Sequence, residues 1–143
     1  MIIGVRSLPK GEAAKASIEN STNRRGVIEV WQLDLASSAS VKTFVEQVKG
    51  LERLDALICN ASVAMAEWSV SEGLETSVTV NVVNTTLLAV LVLPALKASA
   101  KRTGGRGHLV VVGSEVAFEH KGVLEAIKGN VLEGLKENEM GKR

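Results

Sequence analysis

Four polar residues close apolar runs at points where a side chain could meet a ligand. They are Asp34 in Leu33-Asp34-Leu35, Asn60 in Cys59-Asn60-Ala61-Ser62, Asn81 among Val78, Val80, Val82 and Val83, and Ser114 after Gly113. Each stop falls where a buried strand or helix would reach the edge of a sheet, the place where open α/β folds bind ligands. The Asp34 carboxylate can accept hydrogen bonds from an adenine amino group or from neighbouring backbone, and the position equally suits a turn residue or an acid at a helix N-terminus. The Asn60 amide can donate and accept at once, so it can pin a crossing strand or touch a ribose. Asn81 interrupts an apolar helix, where an amide must find partners or cost stability, whether as a core group or a functional one. The Ser114 hydroxyl suits a hydrogen bond to a substrate carbonyl, but Gly113-Ser114-Glu115 lacks the frame of a nucleophile elbow.

Other reactive residue types are sparse. Arg6, with Ser7 and Lys10, follows the first apolar run; such a cluster can bind a nucleotide 2′-phosphate or form a solvated basic turn. His108 and His120 have no acidic or cysteine partners at ligand spacing, so neither a metal site nor a catalytic triad is expected. The single cysteine, Cys59, cannot form an internal disulfide; it fits a reducing compartment and reads as a small buried hydrophobe.

These residues must be placed by strands and helices whose order can be read from the pattern. Ile2 to Val5 predicts a short strand, and Pro9 to Glu19 a helix, with proline suited to the first turn and Ala13, Ala14 and Ala16 as strong helix formers. Asn20 to Gly26 reads as a polar loop and Val27 to Leu33 as a strand. Val41, Phe44, Val45 and Val48 recur at helical spacing after the capping serines Ser37, Ser38 and Ser40. Leu54 to Cys59 predicts a strand buried on both faces. Ser69 to Glu72 has capping-box spacing, so a long helix is expected from there to about Ala100. Lys101 to Gly107 is a basic, glycine-rich turn, Leu109 to Val112 a strand, and Val123 to Leu135 a helix weakened by two glycines. Strands alternating with helices imply parallel βαβ units in one α/β domain over residues 1–143.

Composition narrows the function classes. Apolar residues make up 45% and charged residues 23% of the 143, an ordinary globular balance. A net charge of +1 gives no field that would favour nucleic acid or an anionic membrane surface. The apolar stretch Leu87 to Leu96 contains Pro94 and falls short of the ~20 residues that span a bilayer, so a buried helix is expected there. No secretory signal follows Met1, which points to the cytoplasm.

Taken in order, the segments resemble the short-chain dehydrogenase/reductase family, in particular its fungal, retinol-dehydrogenase-like branch. The likeness rests on Val5-Arg6-Ser7 with Gly11-Glu12-Ala13-Ala14, Leu33-Asp34-Leu35 before Ser40-Val41, Leu54 to Ala61, Glu72 to Glu75, Val80-Asn81-Val82, and Val110 to Ser114. It implies a Rossmann-type, doubly wound parallel sheet that binds NADP(H) rather than NAD(H). It further implies hydride transfer with a small-molecule carbonyl or alcohol, in a setting such as fungal secondary metabolism, and allows a homo-oligomer. By position, Arg6 would select NADP, Asp34 would contact adenine, and Asn60 would support the nicotinamide ribose. Asn81 would hold a proton-relay water and Ser114 would orient the substrate oxygen. The sequence departs from the family's pattern in four ways. It has no glycine-rich turn before Ile2, no tyrosine for the family's Tyr-x-x-x-Lys pair, Ser62 in place of the family's usual glycine, and Asn84 where many members have a small residue. The resemblance therefore implies a partial domain, short at both ends and lacking the central first strand. The alternative it leaves is a non-catalytic remnant or interaction protein on the same scaffold.

Overall fold

A computed structural model describes residues 1–65 and 67–114. The first β-branched run forms strand β1 (Ile2–Val5), and Ser7 and Pro9 lead into helix α1 (Leu8–Thr22). Proline suits the first turn because its missing N–H would have no helical partner there. The helix continues past the expected loop start at Asn20, because Ser21 and Thr22 return their hydroxyls to the Ile18 carbonyl. It stops at Asn23, which takes a left-handed conformation at φ 51°. Strand β2 (Glu29–Gln32) is shorter than the Val27–Leu33 run and pairs in parallel with β1, Ile2 opposite Glu29 and Val5 opposite Gln32.

Helix α2 (Ser38–Lys49) begins where the serines predicted, with Ser37 Oγ accepting from the Ser40 N–H, and it buries Val41, Phe44, Val45 and Val48. Strand β3 (Ala56–Cys59) follows. The expected helix start at Ser69 is instead a hairpin of β4 (Val70–Ser71) and β5 (Leu74–Glu75). Its turn residues Glu72 and Gly73 both have positive φ, 52° and 80°, the geometry of a two-residue type I′ hairpin turn. The capping-box spacing is met, yet the segment turns back with Glu72 reaching Ser38, and the true cap is Glu75, whose carboxylate accepts from the Val78 N–H at 2.9 Å. A turn α3 (Thr76–Val78), a π-helical turn (Thr79–Asn84) and α4 (Thr85–Thr103) then run on as one helix, closed by Gly104 at φ 68°. At 28 residues it is longer than the apolar stretch inside it, and long and apolar enough to cross a membrane by length and composition. Here its Leu88, Ala89, Val92 and Leu96 belong to the core. Strand β6 (His108–Val111) pairs in parallel with β3, Ala56 opposite His108 and Cys59 opposite Val111. The helix expected at Val123 to Leu135 lies outside the described residues.

Helices flank both faces of the β1–β2 pair, as the doubly wound expectation requires. A Cβ on Gly4 would meet Leu33 and Phe44 on the α2 side, whereas its neighbour Val5 touches Gly11 of α1 on the other. Helices α2 and α4 pack on each other around Val41, Val45 and Val92, and Trp31 of β2 meets Phe44 edge-on with ring centroids 5.8 Å apart. Among the described residues the β1–β2 and β3–β6 pairs share no ladder, so α2 and α4 bridge them. The expectation that β3 is buried on both faces is not met: Leu57 and Cys59 join the core, but Ile58 is 64% exposed.

Gly11 gives the closest approach of helix to sheet. A Cβ there would lie 2.5 Å from Val30 Cγ1 and 2.7 Å from Val5 Cγ2, and valine has little rotamer freedom with which to yield. Gly11→Ala should therefore lose about 1–3 kcal/mol to overpacking, outweighing the roughly 1 kcal/mol it gains in helix propensity. A lowered melting temperature checks this; a raised one would show that α1 can lift off the sheet freely.

Candidate binding edge

Each strand pair is parallel, so its two strands end on one side, and each candidate residue but one follows a strand end. Arg6 follows β1, Asp34 lies just past β2, Asn60 follows β3, and Ser114 lies just past β6. Asn81 reaches the same edge from the π-helical turn.

Arg6 is exposed, and its carbonyl accepts from Gln32 Nε2 at 2.9 Å, which ties the main chain after β1 to the end of β2. Its guanidinium forms no ion pair among the described residues. The α1 N-terminus beside it has no side-chain cap from Ser7 and no acidic residue in its first turn, so nothing there offsets a bound anion.

Asp34 is half-buried and built into a turn. Its N–H donates to Ser40 Oγ at 2.9 Å, its Oδ1 accepts from the Ala36 N–H at 2.9 Å, and its carbonyl accepts from the Ser37 N–H at 3.1 Å. The turn and the ligand readings of this residue are therefore compatible. Oδ1 serves the fold, while Oδ2 has no protein donor among the described residues.

Asn60 is exposed and carries no side-chain hydrogen bond among the described residues. The chain after it is held by Asn81, whose Oδ1 accepts from the Val63 N–H at 2.9 Å and whose Nδ2 donates to the Val63 carbonyl at 2.8 Å. One Nδ2 hydrogen and one Oδ1 lone pair remain for a water. Cys59, the residue before Asn60, points into the core, and burial pushes its thiol pKa up, keeping it protonated. Ser114 is exposed at the end of the described chain.

Three residues outside the expected set knit this edge together. Asn84, at the end of the π-helical turn, donates to the Leu35 carbonyl at 2.8 Å, and its Oδ1 lies 2.9 Å from Ser38 Oγ. Glu72, held outward by the hairpin turn, accepts from the Ser38 N–H at 2.9 Å and lies 2.5 Å from Ser38 Oγ. These Ser38 hydrogen bonds, the hydroxyl's first, hold the Glu72 carboxyl below the usual carboxylate range. Glycine after Glu72 was the sequence signal for the turn; nothing in the sequence pairs Ser38 with Asn84 across 46 positions. A shallow hollow of about 610 Å³ lined by Leu8, Val30, Trp31 and Leu51 runs beside the outer strand β2, away from Asn60 and Asn81.

Two outcomes follow from this geometry. Asn81→Ala removes both holds on Val63, and the Val63 amide should exchange with solvent at least about tenfold faster, as expected for losing a hydrogen bond worth about 1–2 kcal/mol. Unchanged exchange would show the loop to be fixed by other contacts. Because the folded Glu72 pKa lies below its unfolded value, its stabilising effect is present above the ordinary carboxylate pKa of about 4.3 and fades as pH falls through the folded value. Ser38→Ala should flatten this acid limb of the stability–pH curve; an unaltered limb would remove Glu72 as its source.

Comparison with known proteins identifies the family. A short chain dehydrogenase family model matches residues 1–126. The chain is 45% identical over 118 residues to the short chain dehydrogenase/reductase dmxR8 of Cryptosporiopsis sp., covering 81% of this chain and 36% of that protein. It is 39% identical over 117 residues to the short chain dehydrogenase atnD of Emericella nidulans, covering 80% of this chain and 37% of the relative. The chain thus spans a little over a third of the length of these relatives. Among solved structures it resembles a short-chain dehydrogenase from Sphingobium yanoikuyae in complex with NADPH, with a TM-score of 0.65 and 26% identity over 82% of this chain and 44% of that one. The NADPH-dependent 3-quinuclidinone reductase of Rhodotorula rubra, at 24% identity and a TM-score of 0.59, shares the fold. With its parallel strand pairs, two-sided helices and polar carboxyl edge, the chain belongs to the short-chain dehydrogenase family.

Proposed function

We propose that this chain supplies the nucleotide-binding edge of an NADP(H)-dependent oxidoreductase acting on a small carbonyl or alcohol. The observation that carries this reading is the alignment of Arg6, Asp34, Asn60 and Ser114 with the ends of β1, β2, β3 and β6, with Asn81 facing the same edge. A bound nicotinamide would supply or accept the hydride. Toward it, the unspent Asp34 Oδ2 would accept from the adenine amino group, and Arg6 would pair with the 2′-phosphate at a helix start that carries no opposing acid. Asn60 would meet the nicotinamide ribose. Asn81 would place a water with the donor and acceptor left over from Val63, and Ser114 would orient the substrate oxygen. The 143 residues contain no tyrosine, so these groups bind and orient, and none of them is the family's phenolic acid. NADPH in the Sphingobium structure supports the choice of NADP, and the relatives' fungal sources fit a fungal reductase; fungal secondary metabolism in the cytoplasm is the setting we propose.

Titrating the purified chain with NADPH by cofactor fluorescence tests the reading. Saturable binding is expected, and Arg6→Ala should weaken NADPH by about tenfold while changing NADH little, as the loss of one charge-assisted contact predicts. No saturable binding would overturn the cofactor assignment for this chain and leave the scaffold-only alternative. Equal losses for both cofactors would overturn the role of Arg6.

A further inference from the structure

Asn84 is the only amide side chain among the described residues that is buried to 0% exposure. Its side chain has a definite target: Nδ2 donates to the Leu35 carbonyl at 2.8 Å. That carbonyl belongs to the Leu35–Ala36 peptide, and the N–H of the same peptide donates to Asp34 Oδ1 at 2.9 Å. A peptide group is planar and stiff, so fixing its oxygen fixes the direction of its N–H. Hydrogen bonds in series also polarise one another, which strengthens the bond to the carboxylate. The other end of the amide is placed as well, because Asn84 Oδ1 lies 2.9 Å from Ser38 Oγ, and Nδ2 also donates to Glu72 Oε2 at 3.4 Å.

We infer that Asn84 is a positioning residue for Asp34, acting through the Leu35–Ala36 peptide to hold Oδ1 inward and leave Oδ2 facing the nucleotide base. The inference rests on reading Asp34 as the adenine contact. Asn84 touches no ligand itself. A carboxylate held this way accepts from the 6-amino group of adenine and disfavours a base with a carbonyl at that position. The signature of correct placement is therefore a preference for adenine over hypoxanthine, which general loosening of the fold would not selectively erase.

The test compares 5′-AMP with 5′-IMP binding to the full chain by calorimetry or NMR titration. The unaltered chain should prefer 5′-AMP, and Asp34→Asn should abolish the preference. Asn84→Ala and Asn84→Ser should each reduce it about tenfold in a folded chain, and neither should reduce it further when combined with Asp34→Asn. Ser38→Ala, which removes the hydroxyl against Asn84 Oδ1, should reduce it in the same sense by about two- to threefold, and it serves as the decisive variant if the Asn84 variants do not fold. No preference in the unaltered chain would overturn the Asp34 reading and this inference with it. A preference kept by folded Asn84 variants, or by Ser38→Ala where those do not fold, would overturn the role of Asn84 alone.

Discussion

The contact between α2 and α4 is the interaction on which the described structure depends. No ladder joins β1–β2 to β3–β6 among the described residues, so the two strand pairs keep their relation because each is packed against one of these helices and the helices pack on each other. Val41 and Val45 from α2 and Val92 from α4 are among the most completely buried side chains, with Leu88 and Leu96 beside them. Full burial of such residues stabilises by about 1.5–3 kcal/mol each before the entropy of ordering them is counted. It is non-directional, and it would tolerate some sliding of one helix along the other.

Polar contacts at the upper end of the seam remove that freedom. Asn84 reaches from the α4 side to Leu35 and Ser38 on the α2 side, and Glu72 joins Ser38 from the hairpin. Buried polar groups of this kind add little net energy when satisfied but cost much when left unpaired, so they select one register. No buried side-chain nitrogen or oxygen lacks a partner among the described residues. Within one six-residue π-helical turn, Asn81 holds the chain after β3 and Asn84 the chain after β2. Such wide turns are found at functional sites because they displace side chains from ordinary helical spacing. Here the displaced pair sets the two loops that carry Asn60 and Asp34.

The groups left over by this network give the edge its chemistry. Asp34 uses one carboxylate oxygen for its own turn, and Asn81 uses half of its hydrogen-bonding capacity on Val63. Arg6 and Asn60 are exposed. The observed division of hydrogen bonds leaves Asp34 and Asn81 fixed on one side and open on the other.

Much of this was legible from residue order. The apolar stripe of α2, its serine cap, the strands at Ile2, Ala56 and His108, and the polar stops at their ends follow from local periodicity, which any window of the sequence contains. The alternation of strands and helices, with the segment likeness, was enough to point to the family. Three features were decided by tertiary structure. Ser69 to Glu72 became a hairpin because Glu72 and Gly73 adopt a left-handed turn that lets Glu72 reach Ser38, a partner 34 residues away. Ile58 stayed exposed because cover on the second face of β3 must come from elements remote in sequence, and the run of apolar letters cannot report whether they are there. The partners of Asn84 were hidden for the same reason: spacing along the chain reveals which face a residue shares, but only folding reveals which carbonyl stands 2.8 Å from its amide.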